Sequence, residues 1–407
     1  MSRERVIVVD YGGQYTHLIA RRCRELGVYS EIVPQNASLA ATDMDGVKGV
    51  ILSGGPRTVS KEDLGEVFQD NLALLKKTGR PVLGICFGHQ LLAVAHGAAL
   101  TSGENREYGS TTIRILDRSS ILKGLDQVQT VWMSHGDEVR SLPPTLKALA
   151  VSGEDHVSAY SSVDGMVYGV QFHPEVTHTP RGREVLRAFL RDICGYLGEY
   201  NPESMIDDIL VEIRKQVGDG RVIMATSGGV DSTVAATLLQ RAIGDQLACV
   251  FVDNGLLREG EREEVESVYR GLNFSHFYVV DAGEEFLHAL EGIEDPEEKR
   301  RVIGETFIRV FERTASELKS KFGQFDFLGQ GTIYPDRVES AATGKSTAVI
   351  KSHHNVRLPK WMKLRVVEPL KDLYKDEVRR LGTALGIPDK LIRRQPFPGP
   401  SLAIRMG

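Results

Sequence analysis

The stretch RVIMATSGGVDSTVAATLL, residues 221–239, joins two apolar runs through a glycine-rich turn. The first run, RVIMAT (residues 221–226), has the apolar character of a buried strand, and the last run, VAATLL (residues 234–239), has that of a helix. A strand that passes through a tight turn into a helix is the first half of a β–α–β unit. The stretch therefore predicts a parallel sheet covered by helices in this part of the chain.

The turn itself, SGGVDST (residues 227–233), has the form of a phosphate loop, but it has no lysine. A Walker A loop uses its lysine to reach the β- and γ-phosphates, so transfer of the γ-phosphate is not the expected reaction. Backbone N–H groups at a helix N-terminus, together with hydroxyls, suit an anion such as pyrophosphate. Asp231 offers a carboxylate to Mg²⁺, which takes oxygen ligands and substrate phosphates. The residues expected to hold ATP or pyrophosphate are Ser227, Gly228, Gly229, Val230, Asp231, Ser232 and Thr233.

The first part of the chain contains strand-like runs that lead into glycine-rich turns. They are VIVVD (6–10), GVILSGG (49–55) and PVLGIC (81–86). Their near-continuous, β-branched character is typical of parallel strands buried on both faces. Three later runs instead predict an antiparallel or mixed addition to this sheet. They are TIRIL (112–116), TVWMSHGDEV (130–139) and MVYGVQFHPE (166–175).

A stretch rich in glycine, proline and polar residues, GYLGEYNPES (195–204), separates two such patterns. Beyond it, the amphipathic run MIDDILVEIRKQV (205–217) precedes RVIMAT, and the runs LACVFVDNG (247–255) and FSHFYVVDAG (274–283) predict two more buried strands. Strands and helices alternate on both sides of the linker, which predicts an α/β fold of two tandem doubly wound domains. The length of 407 residues also favours more than one domain, because it exceeds the length that one hydrophobic core usually supports.

The composition, 41% hydrophobic and 26% charged residues, is that of an ordinary globular protein. The net charge of -5 argues against nucleic acid as a partner, because neutralising phosphates requires a basic face. The chain has no run of 18 apolar residues and starts almost directly with a strand, so we expect neither a membrane span nor a signal peptide. Its cysteines show no metal-ligand spacing, which favours free thiols and a cytoplasmic location. They are Cys23, Cys86, Cys194 and Cys249.

A second candidate site begins at GICFG (84–88), a G-x-C-x-G pattern between a predicted strand and a predicted helix. This is the thiol form of the nucleophile elbow, and the helix N-terminus also favours the thiolate. In the extended strand expected for VQFHPE (170–175), residues two apart share a side, so His173 and Glu175 would lie together. A cysteine nucleophile needs a base beside an orienting carboxylate. Cys86, His173 and Glu175 are therefore the candidate catalytic residues.

Four motifs, in this order, resemble those of the class I glutamine amidotransferases. They are SGGP (53–56), GICFGHQ (84–90), MSHGDEV (133–139) and GVQFHPE (169–175). The resemblance implies that Cys86 attacks the side-chain amide of glutamine and releases ammonia, while His173 shuttles the proton and Glu175 orients it. It also implies that backbone N–H groups near Gly55 and Phe87 hold the oxyanion. The residues similar to the glutamine-binding residues of that family are Gln90, Ser134 and His135.

The SGGVDST loop resembles that of the N-type ATP pyrophosphatases, which cleave ATP between the α- and β-phosphates and adenylate an acceptor oxygen. Further motifs resemble the glutamine-hydrolysing GMP synthetase family. They are VDNGLLREGE (252–261), LGQGTIYPDRVES (328–340), KSHHN (351–355), EPLKDLYKDEVRRLG (368–382) and QPFPGP (395–400). The resemblance implies an adenine nucleotide α-hydrolase-like domain that uses ATP with Mg²⁺ to adenylate O2 of XMP, after which ammonia displaces AMP. The expected partners are thus the small molecules glutamine, ATP and XMP, with no tightly bound organic cofactor, and Arg258 and Lys351 are candidate contacts for XMP or the adenylate.

The motifs predict an amidotransferase domain at residues 4–197, an ATP pyrophosphatase domain at 199–394 and the start of a C-terminal region at 395–407. The chain ends at Gly407, whereas members of the family that it resembles continue into a C-terminal domain that forms the homodimer and contributes to the XMP site. We therefore expect complete glutamine and ATP sites, with XMP binding and dimerisation compromised. The motifs KSHHNVRLPKW and QPFPGPSL also depart from the family patterns KSHHNVGGLP and HPFPGPGL, with Gln395 and Ser401 replacing a histidine and a glycine.

Two other functions are compatible with the motifs. One is an ATP pyrophosphatase with a fused ammonia source that acts on another acceptor such as tRNA. The acidic balance and the absence of an arginine-rich arm weigh against it. The other is a truncated, non-catalytic regulatory partner, against which the intact Cys86, His173, Glu175 and Asp231 weigh. The substitution Cys86→Ala discriminates, because an amidotransferase keeps its ammonia-dependent activity and a regulator has no activity to keep.

Overall fold

The computed structural model describes residues 4–153, 156–337 and 364–394. They fall into two compact units that divide between Tyr200 and Asn201. No helix within these ranges is long and apolar enough to cross a membrane. Lys351, the KSHHN motif and residues 395–407 lie outside the described residues.

In the first unit the described strands form a nine-stranded sheet. They are β1 (Arg5–Asp10), β2 (Tyr29–Pro34), β3 (Val47–Leu52), β4 (Val82–Ile85), β5 (Leu100–Ile115), β6 (Val128–Val139), β7 (Leu146–Ser152), β8 (His156–Ser162) and β9 (Val167–Val170). Their order across the sheet is β2-β1-β3-β4-β9-β8-β7-β5-β6. The first five run parallel and the remaining neighbours pair antiparallel, which confirms the predicted mixed addition.

Helices of the first unit follow the parallel strands. They are α1 (Thr16–Glu25), α2 (Glu66–Lys77), α3 (Phe87–Ala95) and α4 (Gly182–Arg187), which continues as a π-helical turn over Ala188–Ile193. Ile7 of β1, Val50 of β3 and Leu91 of α3 belong to one buried core. Burying side chains of this size stabilises the fold by about 1.5–3 kcal/mol each. This core fixes the carboxyl ends of β3 and β4, from which the candidate catalytic loops extend.

In the second unit the strands that the structure describes form a five-stranded parallel sheet. Its strands are β10 (Val222–Thr226), β11 (Leu247–Asp253), β12 (Phe277–Asp281), β13 (Phe327–Gly329) and β14 (Arg365–Val367). They lie in the order β12-β11-β10-β13-β14. The helices with described bounds include α5 (Ile206–Val217), α6 (Val230–Ile243), α7 (Glu261–Gly271), α8 (Gly283–Leu290), α9 (Pro296–Phe322), α10 (Lys375–Ala384) and α11 (Asp389–Ile392). Sheets with helices in both units confirm the α/β fold class.

One predicted strand differs from its expected environment. The run FSHFYVVDAG predicts a buried strand, but β12 is an edge strand whose residues are partly buried or, at Asp281, exposed. An apolar, β-branched run has the same composition at an edge as in the centre of a sheet. Its position depends on which neighbours the chain supplies elsewhere.

The order of strands in the second unit reverses at β10. From there the chain builds β11 and β12 on one side, and it returns to the other side of β10 to build β13 and β14. In open parallel sheets, ligands bind at the carboxyl ends of the strands where the order reverses. The SGGVDST loop follows β10 and therefore lies at this position.

Candidate active sites

Cys86 lies on the turn between β4 and α3, as expected of a nucleophile elbow. Its φ of 53° and ψ of -103° are values that residues other than glycine rarely adopt. Flanking glycines make the turn possible, because a Cβ on Gly84 would lie 2.3 Å from the carbonyl oxygen of Gly88. A Cβ on Gly88 would lie 2.6 Å from the carbonyl oxygen of Leu52. The turn places the Cys86 side chain at the N-terminus of α3, 5% exposed.

His173 and Glu175 lie in a turn after β9, which ends at Val170. The expectation that an extended strand places them on one side is therefore wrong. They are nevertheless in contact, with His173 Nδ1 2.7 Å from Glu175 Oε1, and both side chains are buried. This contact leaves the other ring nitrogen, Nε2, for Cys86, whose side chain interacts with the imidazole.

The environment of His173 favours its protonated form. Burial lowers the pKa of the imidazole, but the negative charge of Glu175 and the hydrogen bonds with Cys86 and Glu175 raise it further than burial lowers it. The resulting pKa is about 10, compared with an ordinary value of 6.5. The imidazole is thus cationic at neutral pH.

The loop after β3 packs against the catalytic residues. A Cβ on Gly54 would lie 3.2 Å from His173 Cε1 and 3.6 Å from Cys86 Cβ. A Cβ on Gly55 would lie 3.2 Å from the Phe87 ring, so the structure brings together the two residues expected at the oxyanion hole. The N–H of Phe87 belongs to the first turn of α3, where a helix supplies no acceptor of its own. It is therefore free to face a negative charge beside Cys86.

The expected glutamine-binding residues lie on β6 and α3. The Ser134 carbonyl oxygen is 3.7 Å from Cys86 Sγ. Gln90 donates from Nε2 to the Asp137 carbonyl at 2.9 Å and to Gln171 Oε1 at 3.2 Å, which leaves its Oε1 for a ligand. His135 is buried, with Nδ1 3.0 Å from the same Asp137 carbonyl.

Three residues that the sequence motifs did not indicate surround the His173–Glu175 pair. The Tyr15 ring meets the His173 ring edge-on, with 5.2 Å between centroids. Arg22 Nε donates to the Glu175 carbonyl at 3.0 Å, and the Thr179 hydroxyl donates to the His173 carbonyl at 2.7 Å. No pattern in the sequence connects Tyr15 and Arg22 with a turn so much later in the chain.

The second site is the turn between β10 and α6. Gly228 has a φ of +68°, and a Cβ there would lie 2.4 Å from Val265 Cγ2, so only glycine fits. The hydroxyls of Ser227 and Ser232 are 3.1 Å apart, and Ser227 Oγ also accepts from the Gly229 N–H at 3.3 Å. Thr233 differs from expectation, because its side chain is fully buried. Its N–H donates to the Gly229 carbonyl at 3.0 Å, so neither its hydroxyl nor its N–H is available to a ligand.

A lysine does reach this loop, although the loop sequence contains none. Lys375, the first residue of α10, places Nζ 2.5 Å from Asp231 Oδ2. Asp231 Oδ1 is buried and has no hydrogen-bond partner among the described residues. An unpaired carboxylate oxygen fits a Mg²⁺ ligand, although no described group of three or more His, Cys, Asp or Glu forms a metal site. Lys375 belongs to the EPLKDLYKDEVRRLG motif, but nothing in that motif singles out this lysine.

Arg258 lies exposed on the loop between β11 and α7. Its N–H donates to Glu261 Oε2 at 3.1 Å, and its carbonyl accepts from the Glu261 N–H at 3.0 Å. These contacts fix its backbone at the start of α7 and leave the guanidinium at the surface. Arg258 thus remains a candidate contact for XMP, as does Lys351.

Known proteins resemble both units. The family model for class-I glutamine amidotransferases matches residues 7–193. The GMP synthase [glutamine-hydrolyzing] of Clostridium kluyveri is 48% identical over 407 residues, which span 100% of this chain and 78% of that protein. The enzyme of the same name from Caldicellulosiruptor saccharolyticus is 50% identical over 408 residues, with the same shares covered.

The chain belongs to the glutamine-hydrolysing GMP synthase family. This confirms the resemblance drawn from the motifs and makes the protein an enzyme of GMP biosynthesis with a class I amidotransferase domain. The GMP synthase [glutamine-hydrolyzing] of Aquifex aeolicus is similar to the same extent. It is 48% identical over 407 residues, which span 100% of the present chain and 78% of the Aquifex protein.

Proposed function

We propose that this enzyme converts XMP to GMP in two steps, a glutaminase step in residues 4–197 and an ATP-dependent step in residues 199–394. The observation that carries the proposal is the 2.7 Å contact between His173 Nδ1 and Glu175 Oε1 beside Cys86. A buried base held by a carboxylate next to a strained cysteine has the parts of a nucleophilic acyl-transfer site.

In the glutaminase step, Cys86 Sγ attacks the side-chain amide carbon of glutamine, and the oxygen becomes negatively charged. The N–H groups of Gly55 and Phe87 would stabilise that charge, a contribution of about 10²- to 10³-fold in rate for one such donor. His173 passes a proton to the leaving nitrogen, the C–N bond breaks, and ammonia departs, leaving a thioester on Cys86. Water then hydrolyses the thioester to glutamate, with His173 as the base and Glu175 fixing its orientation.

In the second step, O2 of XMP attacks the α-phosphate of ATP, pyrophosphate leaves, and ammonia displaces AMP to give GMP. The loop of residues 227–233 would hold the pyrophosphate through its N–H groups and the hydroxyls of Ser227 and Ser232. The Lys375 ammonium, now paired with Asp231, would turn to the negative charge that develops on the leaving group. The unpaired Asp231 Oδ1 would hold Mg²⁺, which when bound would supply positive charge to the phosphate oxygens.

Product analysis tests this assignment. With XMP, MgATP and ammonium but no glutamine, we expect GMP together with equal amounts of AMP and pyrophosphate. Formation of ADP and phosphate would rule out cleavage between the α- and β-phosphates. Surviving glutaminase activity without any GMP would place an essential part of the XMP site in residues beyond 394. Homodimerisation through a C-terminal domain stays a prediction.

The substitution Glu175→Gln should change the pH dependence of the glutaminase. Without the carboxylate charge, burial dominates, so the pKa of His173 falls and the imidazolium is lost at a lower pH. We expect kcat for glutamine to fall about 10²-fold or more and the alkaline limb of its pH profile to move to lower pH. Glu184→Gln, a partly exposed residue of α4 paired with Arg181, is the matched control. An alkaline limb that does not move would contradict this role of Glu175.

The substitution Asp231→Asn should raise the Mg²⁺ requirement of the ATP-dependent step. A neutral amide is a poorer ligand for a hard cation, so we expect the half-saturating Mg²⁺ concentration to rise at least about tenfold. Ammonia-dependent GMP formation at varied Mg²⁺ measures it, and glutaminase activity should stay unchanged. The exposed Asp245→Asn serves as control. An unchanged Mg²⁺ dependence would remove Asp231 from the metal site.

A further inference from the structure

The turn that carries His173 and Glu175 is fastened to β6 at one residue, Trp132. The His173 N–H donates to the Trp132 carbonyl at 3.0 Å. The Trp132 N–H donates to Thr179 Oγ1 at 3.0 Å, and the Thr179 hydroxyl donates onward to the His173 carbonyl at 2.7 Å. The N–H and the carbonyl of Trp132 are thus both hydrogen-bonded to the turn. The Thr179 hydroxyl forms one hydrogen bond within the turn, to His173, and one with β6, from Trp132.

The Thr179 side chain is buried, and its hydroxyl both donates and accepts a hydrogen bond. It is 5% exposed, whereas its neighbours Thr177 and His178 are exposed. A hydroxyl has one hydrogen to donate, and here the donor goes to His173 while a lone pair accepts from β6. The His178 ring packs on the Trp132 ring at 4.5 Å between centroids, which adds a second contact between the turn and this strand.

The same strand also reaches the nucleophile. Two residues beyond Trp132, the Ser134 carbonyl oxygen lies 3.7 Å from Cys86 Sγ. The backbone of β6 therefore touches the thiol at one residue and fixes the His173 turn at another. A movement of the turn relative to β6 changes the relation between His173 and Cys86.

We propose that Thr179 is a positioning residue for the glutaminase step, which holds the His173 backbone on β6 so that the imidazole stays between Glu175 and Cys86. The inference rests on the proposed role of Cys86, His173 and Glu175. Because these residues lie in a turn, no ladder of strand hydrogen bonds fixes them, and the Thr179 hydroxyl takes over that task. A displacement of about 1 Å at a catalytic group can cost about 10²-fold in rate.

The test compares Thr179→Val, which keeps the shape but removes the hydroxyl, with Thr179→Ser, which keeps the hydroxyl. For Thr179→Val we expect glutamine-dependent kcat to fall about 10- to 100-fold with little change in KM. The alkaline limb of its pH profile should move to lower pH, because the groups that face His173 are Glu175, Cys86 and Tyr15 and the contact with Glu175 loosens. Thr179→Ser should restore most of kcat, and the exposed Thr177→Val should behave as wild type.

Ammonia-dependent GMP formation, measured on the same protein samples, should be unchanged in Thr179→Val. The shifted pH profile and the rescue by Thr179→Ser separate positioning from a loss of stability in the first unit. Equal losses of both activities would overturn the proposal, since the hydroxyl would then serve only stability. An unchanged glutamine-dependent kcat and pH profile, or a loss that Thr179→Ser does not restore, would overturn it as well. Cys86→Ala is assayed in parallel, because glutaminase activity that survives it would refute the catalytic assignment itself rather than the role of Thr179.

Discussion

Cys86→Ala should abolish glutamine-dependent GMP formation and leave ammonia-dependent formation intact. Removing the nucleophile of a catalytic set typically costs on the order of 10⁴- to 10⁶-fold in kcat, because the remaining groups act only together with it. The substitution takes away a small side chain that is 5% exposed, so we expect the fold to tolerate it. Glutamate release from glutamine and GMP formation from XMP, MgATP and ammonium are measured on the same protein.

Cys194→Ala is the matched control for this experiment. Cys194 is a free cysteine of the first unit that is buried in the same way, but it follows the π-helical turn and lies outside the candidate site. Its loss should leave both activities near the wild-type rate. Glutaminase activity that persists in Cys86→Ala would exclude a thioester on this residue. Loss of ammonia-dependent synthesis as well would mean that Cys86 supports the second unit in some further way.

Lys375→Met should impair GMP formation with ammonia as well as with glutamine. The ammonium group lies 2.5 Å from Asp231 at the loop expected to hold pyrophosphate. Methionine keeps most of the length of the side chain and removes the charge. For the loss of one group that stabilises a developing negative charge, we expect kcat to fall about 10²- to 10³-fold. Release of pyrophosphate from ATP with XMP and ammonium measures this, and glutaminase activity should be unaffected.

Lys371→Met tests whether the position of the charge matters. Lys371 lies in the same motif, four residues before Lys375. Its Nζ is 2.6 Å from Glu212 Oε1 and does not pair with the loop of residues 227–233. An exposed pair of this kind contributes little, so we expect wild-type rates. Equal effects of the two substitutions, or full activity in Lys375→Met, would remove Lys375 from the reaction.

The elbow at Cys86 and the loop at residues 227–233 could be found in the sequence because their causes are local. Gly84 and Gly88 flank the cysteine within two positions, and each is needed because a Cβ would collide with nearby backbone. Gly228 likewise has a positive φ next to Val265. Such steric requirements place glycines at fixed, short spacings that can be recognised in the sequence.

The prediction that a strand places His173 beside Glu175 is wrong, although the two side chains are in contact. The strand stops at Val170, so alternation along a strand does not apply to either residue. Their contact instead depends on a turn held by Arg22 of α1 and by Trp132 of β6. The short separation in sequence predicted the contact, and distant elements provide it.

The sequence by itself determined the α/β class, the two glycine-rich turns, the choice of Cys86 as candidate nucleophile and the family, because these depend on motifs whose residues lie within a few positions of one another. Only the tertiary structure decided which cation meets Asp231, which hydroxyl closes the His173 turn, and that the Thr233 hydroxyl is buried. Lys375 and Asp231 are 144 positions apart, and they meet because α10 packs against α6, whose first turn contains Asp231. In the sequence Lys375 and Asp231 are two ordinary charged residues. Their electrostatic attraction depends on the distance between them in space, which the sequence does not give.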